Sequence, residues 1–315
     1  MMAVKHENIC CPCAEKADLV CQGRSFQCSM LGCPHNLEDD WFGHLDTVPV
    51  LVSDIRCDTL CDPTDIQSKI DRPDRSSFRK LQQFLLGTAS KITEENAEKF
   101  REILSDSPHE RPSVLIIGNG TIGWGAQAIS DDETLDLTGT DIYASEHVDY
   151  VADAHYLPFK DKTFDGVWIQ AVLEHVVEPQ LVVAEIHRIL RDDGVVYAET
   201  PFMQQVHEGA FDFTRFTVTG HRYLFKNFSA VNFGGLDGAG MSLAWSIRYF
   251  IWGLSRSRLL ARVMGIFSAI LLSFLERFAD KRSKFDANSG SFFLGRKSRV
   301  SVRHADLVKM YKGMQ

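Results

Sequence analysis

The apolar run Val114-Leu115-Ile116-Ile117 passes directly into Gly118-Asn119-Gly120-Thr121-Ile122-Gly123, and no other stretch limits the fold so strongly. An unbroken run of this kind fits a strand covered on both faces. The G-x-G-x-x-G spacing then lets the backbone turn sharply and lie against a ligand, where any side chain would collide. Downstream, strand patterns at 137–142, 150–152, 164–169 and 195–200 alternate with helical ones, of which 178–190 is the clearest. This alternation predicts an α/β fold, a Rossmann-like doubly wound sheet.

The glycine loop alone does not select a cofactor. Asp141 ends the next strand, where a carboxylate accepts both ribose hydroxyls of an adenosine. Loop and acid together fit a nicotinamide dinucleotide as well as S-adenosylmethionine. Three further segments separate the two: Asp153-Ala154-His155-Tyr156-Leu157-Pro158-Phe159, Phe164-Asp165-Gly166-Val167 and Val172-Leu173-Glu174-His175-Val176. With them, residues 112–235 resemble the class I S-adenosylmethionine-dependent methyltransferases, in the branch that includes the quinone-biosynthesis C-methyltransferases. The resemblance implies a cofactor set of Gly118, Asn119, Gly120, Gly123, Asp141, Ile142, Asp153, Ala154, Gln170 and Ala171. In it Asp153 meets the adenine amino group, and Gln170 and Ala171 face the methionine part. One position departs from the family: an acid two residues before the first glycine is replaced by Ile116. That departure keeps open a reading of another class, a non-catalytic scaffold or partner subunit.

After the fifth strand comes the segment from Gln204 to Thr217, at the sheet edge where ligands of open α/β sheets bind. It resembles the H-E-x-x-x-D-[FY]-x-R-[FY]-T stretch of many such methyltransferases. Transfer from a sulfonium needs an aligned nucleophile and, for a hydroxyl or amine, a base. His207 is the first candidate base and His175 the second, with Glu208, Asp212 and Arg215 as acceptor-binding candidates. The plainer reading is that Asp212 and Arg215 pair to pin the loop, and that His175 packs behind the cofactor.

Residues 229–233 look like the family's sixth strand, and 291–295 like its antiparallel seventh. A hairpin usually joins these two, whereas here 236–290 intervene. Residues 241–275 hold Arg248, Arg256, Arg258 and Arg262 and no acid. Trp245, Ile247, Tyr249, Phe250, Trp252 and Leu254, followed by 259–275, are too apolar for a solvated loop. A lid over the acceptor or a homodimer contact is expected, with a peripheral membrane element as the other option. No uninterrupted apolar run reaches the ~18–20 residues of a membrane-spanning helix.

All 8 cysteines lie within the first 61 residues. The start, MMAVKHENICCPC, lacks the apolar stretch of a secretory leader, so a reducing, cytoplasmic setting and a metal site are expected. Cys10 with Cys13, and Cys28 with Cys33, have the spacing of two zinc knuckles, with Cys11 and His35 as competitors. The segment, with its ending Leu45-Asp46-Thr47-Val48-Pro49-Val50-Leu51, resembles the small zinc-binding domain that activates tRNA, ribosomal and protein methyltransferases. A net charge of -8 argues against a nucleic-acid coat. The expected organisation is a zinc-ribbon-like module (1–56), linker and helices (57–110), a methyltransferase domain (111–300) and a tail (301–315). The expected acceptor is a small or lipid-linked metabolite; RNA or protein, recruited through the zinc module, is the alternative.

Overall fold

A computed structural model of the chain describes residues 8–13, 15–22, 25–36, 42, 44–45, 48–52, 91–121, 123 and 125–315. Of the expected linker and helices (57–110), residues 57–90, with Cys57, Cys61 and the apolar positions Phe78, Leu81, Phe84 and Leu85, lie outside these residues. Two short antiparallel ladders come first: β1 (Leu19–Gln22) with β2 (Ser25–Cys28), and β3 (His44–Leu45) with β4 (Val48–Pro49).

Helix α1 (Lys91–Ser105) precedes the sheet and buries Ala97, Phe100 and Leu104 at helical spacing. The strands follow as β5 (Ser113–Ile117), β6 (Asp136–Asp141), β7 (Tyr150–Val151), β8 (Phe164–Gln170), β9 (Leu190–Pro201), β10 (Phe228–Gly235) and β11 (Gly290–Lys297). Among the described residues they form one sheet of order β10-β11-β9-β8-β5-β6-β7, in which β11 alone runs antiparallel to its neighbours. This is the Rossmann-like doubly wound sheet with an antiparallel last strand. The period of two sorts the core onto two faces. Leu115, Ile117, Val167, Ile169, Val196 and Ala198 pack with Val182, Ile186 and Ile189 of α3 (Pro179–Ile189). Val114, Ile116, Trp168, Val195 and Tyr197 pack against α1. Between them, α2 (Gln127–Ser130) is a single turn.

Two stretches depart from what their local sequence suggests, Thr93-Glu94-Glu95 as a helix start and Asp192-Asp193-Gly194 as a break between helix and strand. Thr93 does not cap α1 but lies within it; it is buried, and its hydroxyl donates to Glu199 Oε1 at 2.5 Å. Asp192-Asp193-Gly194 does not separate helix from strand, because β9 already begins at Leu190 and absorbs these residues as a register shift between the Leu190–Phe164 and Val195–Gly166 pairs.

The cysteine-bearing segment shares the core of the large sheet. Val50 forms a parallel bridge with Val151, and Leu51 N–H donates to Val151 O at 2.8 Å. Ile9 bridges Phe159, and Ile9, Phe26, Phe42 and Leu51 join the apolar cluster beneath β7 and β8. Beyond α4 (Val218–Leu224) and β10, residues 236–290 form a hairpin of α5 (Ala239–Ser255) and α6 (Arg258–Leu275), then α7 (Ser283–Asp286); α8 (His304–Lys309) closes the chain. Gly265 lies against the aliphatic stem of Arg248, so the two long helices cross closely. Glu276 Oε1 accepts from Gly240 N–H at 3.2 Å, which fastens the open end of the hairpin. The segment Arg258–Phe278 is long and apolar enough to cross a membrane by length and composition, and only 22% of its most apolar 18 residues is buried. The helix thus exceeds the apolar run visible in sequence, because Arg262 does not interrupt it.

Candidate active site

The glycine loop is drawn onto the ends of β6 and β8. Gly118 and Asn119 N–H groups donate to Thr140 O at 2.8 and 3.0 Å. Gly118 has φ +81, and a Cβ there would collide with Val172. Gly120 N–H donates to Asp141 Oδ2 at 2.7 Å, and Tyr143 N–H to Oδ1 at 3.2 Å. The Asp141 carboxylate is thereby held at the carboxyl end of β6, facing the loop, with Ile142 half-buried beside it. A Cβ on Gly123 would strike the Gln170 side chain. The loop therefore fits a ligand approached by bare backbone and flanked by a carboxylate. Asn119 turns away: its amide donates to His147 O at 2.6 Å and ties the loop to the β6–β7 connection.

At the end of β8 the chain leaves the sheet through Ala171, a non-glycine residue at φ +54 whose N–H donates to Glu199 O at 3.0 Å. Gln170 Nε2 donates to Glu199 Oε2 at 2.7 Å, and Tyr197 and Thr93 donate to Oε1. Burial pushes the Glu199 carboxyl above its ordinary range, against these three donors. Glu199 was not singled out in the sequence, and Thr93 only as a helix start. The available signal was an acid closing the apolar run Val195-Val196-Tyr197-Ala198, where a strand buried on both faces carries no charge without partners.

Asp153 is buried and caps the turn Ala154–Tyr156. Its Oδ1 accepts from His155 N–H at 2.9 Å and lies 2.7 Å from His155 Nδ1. His155 Nε2 accepts from Glu178 N–H at 3.2 Å, so the ring proton sits on Nδ1 and points at the carboxylate. His155 thus orients Asp153, and Ala154 is buried beneath it.

The acceptor loop brings together residues far apart in sequence. Phe213 N–H donates to Glu174 O at 2.8 Å, which lays the loop across the β8–α3 connection. His175 Nε2 and His207 Nε2 then stand 3.1 Å apart. Asp212 Oδ2 accepts from His207 N–H at 3.1 Å and lies 3.3 Å from His207 Nδ1. Arg215 grips Asp212 through both terminal nitrogens. Burial works to raise the Asp212 carboxyl, but its bonds to Arg215 and His207 hold it below the usual range. Burial first, then the neighbouring His175, lowers His207. Asp212 and Arg215 thus pin the loop, while Glu208 is exposed at its rim. The unanticipated member is Glu174, fully buried directly behind both imidazoles. Helix α5 closes the other side: Tyr249 OH donates to Val206 O at 3.2 Å, and Gln205 Nε2 to Ser246 Oγ at 3.1 Å.

The cysteine set needs one correction. Cys11, Cys13, Cys28 and Cys33 converge, all four buried, with their sulfurs within 4.8 Å of one another, and Cys10 is not among them. Cys10 lies in a bridge with Asp18 and donates its N–H to Pro158 O at 3.0 Å. Neighbours in an extended segment face opposite ways, so Cys11 points where Cys10 cannot. Cys13 N–H donates to Cys11 Sγ at 3.4 Å, closing the turn on which the first pair sits. His35 packs against Phe42 instead of joining the sulfurs. Burial pushes the Cys28 thiol up to about 11 and Cys11 higher still, so both need a cation nearby to become thiolates.

Residues 117–198 match the family model described as a methyltransferase domain. A segment of 69 residues is 36% identical to the ubiquinone/menaquinone biosynthesis C-methyltransferase UbiE of Saccharophagus degradans, covering 21% of this chain and 28% of that relative. Among solved structures, the complex of the Haloferax volcanii Trm112 methyltransferase activator with a putative methyltransferase is similar at 17% identity over 68% of this chain and 96% of that one, with TM-score 0.40. A phosphoethanolamine N-methyltransferase of Haemonchus contortus in complex with S-adenosyl-L-methionine is similar at 18% identity over 64% and 53%, with TM-score 0.41.

Proposed function

We propose that the chain transfers a methyl group from S-adenosylmethionine to an oxygen, nitrogen or carbon atom of a small or lipid-linked metabolite. The cofactor supplies an electrophilic methyl carbon when bound. The methyltransferase-domain match over 117–198 supports the activity, as do the bare glycine loop and the carboxylates of Asp141 and Asp153 at the ends of neighbouring strands. In this reading Gly118, Gly120 and Gly123 admit the cofactor to the backbone, and Asp141 accepts from its ribose. Gln170 and Ala171, fixed on Glu199, floor the methionine side. His207 and His175 face the acceptor.

The observation that carries the lipid-linked acceptor is the α5–α6 hairpin. Helix α5 is hydrogen-bonded to the acceptor loop, yet Phe250, Leu254, Leu259, Val263, Phe267 and Phe274 are exposed. Arg256 and Arg258 are exposed at the tip between the two helices, and Arg258 stands 6.0 Å over the Trp252 ring. Aromatic and aliphatic groups rimmed by arginine suit the headgroup region of an anionic bilayer. The reading places the protein in the cytoplasm, peripheral to the inner face of the membrane. It also includes one structural zinc ion held by Cys11, Cys13, Cys28 and Cys33.

Calorimetry with S-adenosylmethionine tests the enzyme reading: absence of binding by zinc-replete protein refutes it. Flotation with anionic vesicles tests the acceptor environment. Failure to float, with a concentration-dependent dimer in sedimentation, would assign the hairpin to a homodimer contact and withdraw the lipid.

A further inference from the structure

The acceptor loop and the β8–α3 connection deliver three ligand atoms to one point. His175 Nε2 and His207 Nε2 are 3.1 Å apart, and Glu174 Oε1 lies 3.6 Å from each. A triangle with these sides has its centre about 2.0 Å from every corner, the distance at which imidazole nitrogen and carboxylate oxygen bind zinc-sized ions.

Neither imidazole brings a hydrogen to this point. His175 Nδ1 is 2.6 Å from Phe211 O, so that nitrogen is the donor and Nε2 carries a lone pair. His207 Nδ1 faces Asp212 Oδ2 at 3.3 Å, so its Nε2 does the same. Glu174 is 0% exposed, and neither of its oxygens has a hydrogen-bond partner among the described residues. Two lone pairs and a buried carboxyl facing one another repel unless a cation or an extra proton lies between them. The surroundings match what ligating histidines need: a carbonyl behind one ring and a carboxylate behind the other, the latter fixed by Arg215. The imidazoles keep 22% and 30% of their side-chain surface exposed, so one side of the point stays open.

We propose that Glu174, His175 and His207 form a binding site for a divalent first-row transition ion, whose open side takes an oxygen or nitrogen of the acceptor. Two imidazoles and one carboxylate suit Mn(II), Fe(II), Co(II) or Zn(II). The imidazoles then act on the acceptor through the ion rather than by taking its proton. The link to methyl transfer rests on the function proposed above, whereas ion binding does not.

The test uses full-length protein stripped with a chelator and given one equivalent of zinc, which the four thiolates take as the softer ligands. Manganese(II) is then titrated and its free form followed by electron paramagnetic resonance, while S-adenosylmethionine affinity is measured on the same samples. The site binds one Mn2+ per chain, and binding weakens by at least about tenfold in His175→Ala, His207→Ala and Glu174→Gln. Asp212→Asn, which touches no ion, weakens it by about 10- to 100-fold. Glu174→Gln is nearly isosteric and keeps the fold if a variant at His207 does not. Equal Mn2+ binding by wild type and all variants overturns the site, as does no binding by wild-type protein that retains S-adenosylmethionine affinity. Mn2+ binding without S-adenosylmethionine binding upholds the site and overturns the enzyme reading instead.

Discussion

Alanine at Gly120 separates folding from cofactor binding. The added Cβ lies 2.6 Å from Asp141 Oδ2, where the Gly120 N–H now donates at 2.7 Å. Gly120 has none of the left-handed backbone of Gly118, so alanine suits its backbone and the collision falls on one carboxylate. Asp141 is half-buried and can swing into solvent, which limits the stability cost to about 1 kcal/mol or less. The swing removes the acceptor for the ribose. A hydrogen bond to a charged group contributes about 1.5–3 kcal/mol, so S-adenosylmethionine should bind about 10- to 100-fold more weakly. Gly118→Ala is the contrast: φ +81 adds about 1–2 kcal/mol of backbone strain before the collision with Val172, so stability and affinity fall together. Titration calorimetry beside thermal melts measures both. Wild-type affinity in Gly120→Ala together with wild-type affinity in Asp141→Asn would refute the cofactor assignment. Equal destabilisation by the two alanines would refute the steric argument.

His221 is buried against Thr200 Oγ1 at 3.1 Å, and burial lowers its pKa from 6.5 to about 3. The unfolded chain therefore takes up a proton below pH 6.5 that the fold refuses, and stability is lost as pH falls from 6.5 toward 3. Between pH 6.5 and 5 the loss is about 2 kcal/mol, and denaturant melts should show it flattened in His221→Gln. Thr93→Val removes a donor from fully buried Glu199 and should cost about 1–3 kcal/mol; an unchanged melting temperature would deny the bond. Elemental analysis should find zinc lost in Cys11→Ser and kept in Cys10→Ser, and the reverse pattern would restore the ligand set read from spacing. Arg256→Glu with Arg258→Glu should abolish flotation with anionic vesicles while leaving S-adenosylmethionine affinity unchanged.

The parts of the fold legible in sequence were those coded at short range. Val114–Ile117 and Val195–Ala198 each carry the unbroken apolar run of a covered strand, and both lie in buried strands. The glycine spacing marked the loop because a positive φ at Gly118 and close approach to Asp141 and Gln170 are demands on single residues. Even the antiparallel last strand lay where the family resemblance placed it, at Gly290–Lys297. Failures came where two patterns overlapped. Thr93 has the chemistry of a cap, but it faces the sheet and bonds to a residue more than a hundred positions away.

By itself, then, the sequence determined the alternation of strands and helices, the turn that cradles a ligand and the positions of the carboxylates that border it. Periodicity and glycine content act within a few residues, so they survive without knowledge of the rest of the chain. Only the tertiary structure decided that Cys11 rather than Cys10 joins the sulfurs, that Glu174 stands behind two imidazoles delivered by different loops, and that the α5–α6 hairpin leaves an apolar face bare. Each depends on which way a side chain faces once distant segments have packed, and that direction is set by the sheet, not by the neighbours in sequence.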